Sequence, residues 1–572
     1  MDYKSVILNQ LNIACEALGA QASVIEVPPN PEMGDVAFPC FGLAKTLRKA
    51  PPLIAKDVAD QINQNSTQEF SKIIDKVAVI GGYVNFFIKK EALISGVIDE
   101  IENKGDEYGK SDIGSNKTVL VEFSSPNIAK PFHVGHLVST ALGSSIERIY
   151  SYLGYKTVKI NHIGDWGTQF GKLISAYKRW GDRSVIEKDP INELLKIYVQ
   201  FHKEAETQPE LEDEARHYFK LLEDGDSEIT ELWQFFVKAS LTEFNRMYEL
   251  LGISFDSYAG ESFYTDKMPE IVDILKEKKL LEESEGAMVV RFEDDNMPPC
   301  IILKSDGTTI YATRDIAAAV YRKRHYDFHK NIYVVGTPQT LHFKQVFSVI
   351  NKMGFEWSDN CVHVDFGYVR FPDKSMSTRH GDVILLEDLL KMSIAKTKEI
   401  IMESSTSKEL EDIDHVAEKI GVGAIIFAFL KNSRERDIIF TWDDILDFEG
   451  ESGPYVQYAY ARGKSILRRT EENIDMPVSC ENYVSTPEEF ELAKLLNDFS
   501  NVVLDAANKN QPCIITRYSL QVASCFNKFY NTCNIMKSEG NTKLIRLKLT
   551  NATCNVIKNA LHLIGVDVVE KM

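Results

Sequence analysis

Two histidines stand three residues apart, His133 and His136, with Val134 and Gly135 between them and Lys130 three residues upstream. If this pair opens a helix, both imidazoles lie on one face of its first turn. A helix N-terminus there offers free N–H groups and partial positive charge to an anion. Gly135 has no side chain, so a flat base or ribose can lie on the backbone at that point. Two imidazoles and a lysine aimed at one spot can stabilise charge on a pentacoordinate phosphorus. The chemistry suited to these residues is binding and activation of a nucleoside triphosphate. His133, His136 and Lys130 are then the catalytic groups, and His133, Gly135 and His136 line the nucleotide. HVGH alone is short enough to arise by chance, so its weight rests on its flanks.

Those flanks supply a scaffold. Thr118 to Phe123 is an apolar run of the kind buried in parallel sheets. Ser124 to Phe132 is a polar, proline-punctuated loop. Leu137 to Leu153 has helical periodicity, and Gly154 follows as a natural C′ residue. Tyr155 to Ile163 reads as a second strand. Strand, loop, helix and strand make a βαβ unit, and its loop falls at the carboxyl end of the first strand, where such sheets bind ligands.

HVGH resembles the HIGH signature of class I aminoacyl-tRNA synthetases. The longer string VEFSSPNIAKPFHVGH, with NHIGDWGTQFG behind it, resembles the arginyl-tRNA synthetase family, and the likeness extends over nearly the whole chain. The fold class it implies is α/β. A Rossmann-type parallel-sheet catalytic core carries helical insertions, preceded by an N-terminal α+β domain and followed by an all-α anticodon-binding bundle. The expected divisions are an N-terminal tRNA-contacting domain at 1–115, a catalytic domain at 116–380 with insertions at about 172–303, a helical stem at 381–452, and the anticodon-binding domain at 453–572.

Glu122, Asn127, Tyr311, Asp315 and Gln339 are expected to gather at strand ends. A carboxylate matches a guanidinium in bidentate fashion, and a tyrosine ring can lie beside it. The matching residues in the family bind arginine. By that resemblance Asp315 and Glu122 face the cationic groups, Tyr311 the aliphatic stem, and Asn127 and Gln339 the α-amino and carboxylate ends. Sequence leaves open which acid meets the guanidinium, and whether Asp315 instead pairs with Arg314 or Arg322. FPDKSMSTRHG, residues 371–381, resembles the KMSKS loop in an MSTR form. Lys374, Met376, Ser377 and Arg379 are the ATP-binding residues it implies. Ser375 and Thr378 replace the usual lysines, which makes Lys130 the expected substitute near the leaving pyrophosphate.

The tRNA contacts implied are Asn85, Tyr458, Arg462 and Tyr530, with Phe526 read as core from its helical spacing. Phe87 is also read as core. The substrates implied are ATP, L-arginine and tRNA(Arg), with arginine transferred through an arginyl-adenylate and bound tRNA required even for the first step. Mg²⁺ is expected with ATP, and neither a metal site within the chain nor a structural zinc is expected.

Composition sets bounds around this reading. At 572 residues, about 150 per domain suggests three or four domains. The nine cysteines are odd in number and form no CxxC, as for reduced core thiols. Neither a run of about 18 apolar residues nor a signal-like start is present, so a cytoplasmic protein with no membrane association is expected, as a monomer. The net charge of −19 argues against a nucleic-acid partner on average. From Lys509 to Lys558, however, eight basic residues face a single acid, Glu539, and this reads as a phosphate-facing surface. Two rivals stand. A cysteinyl-type synthetase would need a Cys/His zinc cluster, and the spacing is absent. A non-catalytic RNA-binding paralogue is favoured only by the altered MSTR loop.

Overall fold

A parallel sheet in the order β10-β9-β4-β5 organises the molecule. In the computed structural model, which describes residues 2–22, 24–292, 297–371, 384–403, 410, 412–480 and 483–572, its strands are β4 (Thr118–Glu122), β5 (Lys156–Ile160), β9 (Lys330–Val334) and β10 (Cys361–Val364). Val119, Leu120 and Val121 are fully buried on both faces of the sheet, which is why β4 reads as a continuous apolar run. From β4 the chain moves outward to β5, and from β9 outward to β10 on the other side. The neighbours β4 and β9 therefore flank a topological switch point, with a crevice at their carboxyl ends.

The N-terminal unit holds α1 (Tyr3–Ala17), β1 (Val36–Pro39), α2 (Ala44–Leu47), α3 (Pro51–Gln64), α4 (Gln68–Ile73), β2 (Ile74–Ile80), β3 (Tyr83–Ile88) and α5 (Lys90–Lys104). β2 and β3 form an antiparallel hairpin, and β1 pairs with β3 on its other side. α2 and α3 are separate helices, because Arg48 adopts φ 51° and Pro51 starts a new helix. Phe86 is core, whereas Phe87 points to the other face, half-exposed, with Lys76 over its ring.

After β4, α6 (Val134–Tyr152) runs through the interior. A Cβ on Gly143 would sit 2.2 Å from the Phe123 Cβ, so only glycine lets α6 press this closely on the end of β4. Helices α7 (Thr168–Trp180), α8 (Arg183–Ile186), α9 (Pro190–Ala205), α10 (Glu210–Glu223) and α11 (Ser227–Leu250) make up the long acidic helical region. A helix, α12 (Met268–Glu277), then precedes the antiparallel strands β6 (Glu282–Ser284), β7 (Ala287–Phe292) and β8 (Met297–Leu303). Next come α13 (Tyr311–Tyr326) and α14 (Thr340–Lys352). The chain leaves the parallel sheet after β10. β10 ends at Val364, and β11 (Val369–Arg370) pairs in parallel with β12 (Ile438–Ile439).

The remainder is almost wholly helical: α15 (Leu386–Glu403), α16 (Ile413–Leu430), α17 (Trp442–Ile445), α18 (Gly453–Arg469), α19 (Pro487–Asn497), α20 (Phe499–Lys509), α21 (Cys513–Cys533) and α22 (Gly540–Leu563). The N-terminal unit docks on this bundle. Tyr108 donates to the Leu496 carbonyl at 3.0 Å, and Lys4 pairs with Asp498 at 2.7 Å. Phe526 is fully buried, and eight of the nine free cysteines are buried. Among the described residues no helix is long and apolar enough to cross a membrane.

The basic C-terminal segment is not the free surface expected of it. Lys509 pairs with Asp505, Lys528 with Glu488, Lys543 with Glu472, Arg546 with Glu489, Lys548 with Glu102 and Lys558 with Asp106. Of the eight, Arg517 and Lys537 alone make no ion pair with a described residue. Apart from Asp505, one turn before Lys509, the acids that balance the segment come from distant parts of the chain, where a count along the sequence cannot see them.

Candidate active site

The loop from Ser124 to Phe132 is held in an unusual conformation. Ser124, Ser125 and Ala129 have φ of 71°, 48° and 60°, each costing about 1–3 kcal/mol unless the surroundings impose it. A buried hydroxyl network imposes it. The Ser124 N–H donates to Ser139 Oγ at 3.0 Å, and Ser139 Oγ donates onward to the Val334 carbonyl at 2.8 Å. Ser124 Oγ lies 2.7 Å from the Tyr248 hydroxyl and accepts from Thr140 Oγ1 at 2.9 Å. Asn161 Nδ2 donates to Tyr248 at 3.0 Å, and the Ala129 N–H donates to Ser240 Oγ at 3.1 Å. Tyr248 and Ser240 both lie on α11, so this helix braces the loop that follows β4.

His133 is the N-cap of α6. The Gly135 N–H donates to His133 Nδ1 at 3.1 Å, and the His133 N–H donates to His136 Nδ1 at 3.2 Å. Both Nδ1 atoms therefore accept, which places the proton of each neutral ring on Nε2. The His136 ring is packed between Phe132, at a centroid distance of 5.1 Å, and His133, at 3.8 Å. Burial, helped by His133 and Lys130, pulls the His136 pKa down to about 3. Burial and Lys130 also lower that of His133. The two rings are neutral donors at pH 7, held by the backbone of their own helix turn, and Lys130 is the exposed cation beside them. The chain after the MSTR segment joins this turn: the Val134 N–H donates to the Ile384 carbonyl, and the Leu386 N–H to that of Phe132. Lys374, Met376, Ser377 and Arg379 lie outside the described residues.

Across the switch point stand three acids, Glu122, Glu261 and Asp315, each with a basic partner. Asp315 stands one turn after Tyr311, the first residue of α13. It pairs with neither arginine that the sequence offered, and its Oδ2 is 2.5 Å from His342 Nε2. Arg314 instead meets Glu261 at 3.2 Å. Glu122, read from sequence as facing the substrate, has Oε2 only 2.5 Å from Nη1 of Arg322, and both side chains are buried. Arg322 lies over the rings of Tyr264 and Tyr333 at 5.8 and 5.5 Å. Burial alone would lower its pKa, but Glu122 holds it well above the ordinary value. Burial raises the pKa of Glu261 and Asp165. Asn127, Tyr311 and Gln339 are exposed. His342 sits three residues past Gln339 on the same helical face, a spacing that sequence could have flagged. Nothing local in the sequence announces that Arg322 occupies Glu122.

In the bundle, Tyr458 and Tyr530 flank Arg462, whose guanidinium lies 4.7 and 5.2 Å from their ring centroids. Arg462 donates to Asn527 Oδ1 at 2.5 Å. The three line a cavity of about 530 Å³ that also contains Arg468 and Arg469. Asn85 is only 3% exposed, and its Nδ2 has no hydrogen-bond partner.

A parallel sheet with a histidine-capped helix at its switch point and a helical bundle behind it is the architecture of a class I aminoacyl-tRNA synthetase. Family models match in three segments: "Arginyl tRNA synthetase N terminal domain" over residues 1–88, "tRNA synthetases class I (R), catalytic domain" over 98–442, and "DALR anticodon binding domain" over 456–572. The arginine–tRNA ligases of Clostridium botulinum (strain Loch Maree) and Clostridium perfringens (strain 13) are each 54% identical over 574 aligned residues, covering 100% of both chains. The solved arginyl-tRNA synthetase of Plasmodium falciparum superposes with a TM-score of 0.82 at 25% identity, covering 100% of this chain and 98% of its own. That of Thermus thermophilus gives 0.83 at 24% identity and 100% of each, a likeness of fold. The chain belongs to the arginyl-tRNA synthetase family.

Proposed function

We propose that the protein activates L-arginine with ATP and transfers it to the 3′ end of tRNA(Arg), releasing AMP and pyrophosphate. The observation that carries this reading is identity of 54% with arginine–tRNA ligases over the whole chain. In the first step a carboxylate oxygen of arginine attacks the α-phosphorus of ATP. The bond to the bridging oxygen breaks, pyrophosphate leaves, and arginyl-adenylate remains. His133 and His136 donate through Nε2–H to the phosphoryl oxygens, and Lys130 steadies the charge that collects on the leaving group. No side chain forms a covalent intermediate, so positioning supplies most of the acceleration. In the second step the terminal 2′-hydroxyl of the tRNA attacks the aminoacyl carbonyl and expels AMP.

Asp315 is the acid we assign to the guanidinium, because Glu122 already carries Arg322. His342 holds Asp315 until the substrate arrives. Tyr311, Asn127 and Gln339 close around the stem and the amino-acid ends. Lysine carries a point charge and cannot form the bidentate pair, so the pocket discriminates against it without editing. Lys374, Met376, Ser377 and Arg379 are assigned to the ATP phosphates, and Asn85, Tyr458, Arg462 and Tyr530 to tRNA. The N-terminal unit (1–115) and the bundle (453–572) serve as tRNA-contacting parts. Among the described residues no three His, Cys, Asp or Glu side chains converge as a metal cage. We place Mg²⁺ on the triphosphate as part of the substrate. The enzyme acts as a cytoplasmic monomer.

The test is aminoacylation of a tRNA(Arg) transcript with each of the twenty labelled amino acids. Arginine alone should be esterified. Charging with another amino acid, or none with arginine, would overturn the assignment.

A further inference from the structure

At the far end of α6 lies a second polar cavity, about 360 Å³, that the reaction does not use. Its walls come from segments distant in sequence: Lys110 before the sheet, Ser144, Glu147 and Arg148 on α6, Lys159 on β5, Ser254 after α11, and His562 at the end of α22. It is about 20 Å from His133, at 1.5 Å per residue along α6. Three cations face one carboxylate, Glu147, and that carboxylate already accepts from Thr157 Oγ1 at 2.6 Å.

The two inner cations have no acidic partner. Arg148 donates to the Gly252 carbonyl at 2.9 Å and reaches Ser144 Oγ and the His562 carbonyl only at 3.4 Å. Lys159 Nζ donates to Ser254 Oγ at 3.0 Å. Neither residue forms a salt bridge among the described residues, although both are partly buried. An uncompensated guanidinium taken out of water is costly. Burial lowers its pKa even against Glu147 and Asp567. Ser144 and Ser254 each accept from one of these cations, and neither hydroxyl donates to another group among the described residues. A cavity that offers two unpaired cations and two spare O–H donors matches an oxyanion with several acceptor oxygens.

We propose that this cavity is a binding site for a phosphate-type dianion, held by Arg148 and Lys159 with hydroxyl donors from Ser144 and Ser254. The anion clips three parts of the molecule together: the linker at Lys110, the catalytic helix α6 and the C-terminal end of the bundle at His562. It is either free in solution or a phosphate of the nucleic-acid backbone, and both present the same chemistry.

The test titrates inorganic phosphate into the full chain at constant ionic strength, with arginine and a non-hydrolysable ATP analogue saturating the active site. Calorimetry and the melting temperature are read together, because a ligand of the folded state raises Tm as its concentration passes Kd. A free-anion site gives saturable binding, displaced by sulfate, that weakens about tenfold or more in both Arg148→Gln and Lys159→Gln. Lys159→Gln gives up only a contact to Ser254 and keeps the fold if Arg148→Gln does not. The second arm measures tRNA binding against salt. A backbone phosphate in the cavity lowers the salt slope by about one in Lys159→Gln, whereas a free anion leaves tRNA binding unchanged. The proposal is overturned if phosphate shows no saturable binding and the tRNA slope is also unaltered, or if phosphate binds equally well to both variants.

Discussion

Replacing Tyr248 with phenylalanine removes one oxygen and keeps the ring. That oxygen lies 2.7 Å from Ser124 Oγ and accepts from Asn161 Nδ2 at 3.0 Å. Asn161 is fully buried and its Oδ1 already lacks a partner, so the variant leaves the whole amide unsatisfied. An unpaired buried polar group costs about 1–3 kcal/mol. The brace on Ser124 also goes, and with it part of what holds three left-handed residues in the loop beside His133. We expect unfolding free energy to fall by about 2–3 kcal/mol. Displacing the loop by a fraction of an ångström should lower kcat for ATP–pyrophosphate exchange about 10–100-fold. KM for arginine should move much less, because Tyr248 touches no group assigned to arginine. Urea unfolding and exchange kinetics on the same preparation give both numbers. A variant that loses the stability but keeps kcat would refute the view that α11 positions the active-site loop.

Arg322→Gln strips Glu122 of its partner and should cost about 3–5 kcal/mol, read from thermal melts. If saturating arginine restores that loss, Glu122 meets the substrate after all, and our assignment of Asp315 alone fails. For His136 the folded-state pKa is depressed from 6.5 to about 3, so the unfolded chain binds the proton first. The stability from keeping this ring neutral is fully present above pH 6.5 and declines as pH falls from there toward 3. Between pH 7 and 4.5 the wild type should lose about 2–3 kcal/mol more than His136→Asn, and parallel stability curves would contradict the depressed value. Lys548→Met breaks a pair with Glu102 between the bundle and α5. It should lower Tm and leave the salt dependence of tRNA binding unchanged, and a lower salt slope would restore the phosphate-facing reading.

The βαβ unit and the start of a helix at the His133–His136 turn were legible because each is set by neighbours within a few residues. Hydrophobic period, a glycine and a proline-punctuated loop are local signals. What sequence could not show has the opposite cause. Glu122 looked free because Arg322 is two hundred residues away in sequence, and the C-terminal lysines looked unpaired because Glu102, Asp106 and Glu472 come from other segments. The hydroxyl brace on Ser124 was invisible for the same reason, since Tyr248 and Ser240 sit in a stretch that reads as an ordinary acidic helical region. Where sequence broke its own pattern, as at Arg48 and Pro51 or between Val364 and Val369, a single backbone dihedral or a change of strand partner decided the outcome.

Arginine-dependent ATP–pyrophosphate exchange, with and without tRNA(Arg), for the wild type and Asp315→Asn, is the most direct test of where the guanidinium binds. Exchange should require arginine and tRNA together. The substitution should lower kcat/KM for arginine by about 10–150-fold, the worth of a hydrogen bond to a charged group, and leave KM for ATP nearly unchanged. Exchange that ignores the substitution, or that another amino acid supports equally well, would contradict the placement of the guanidinium at Asp315.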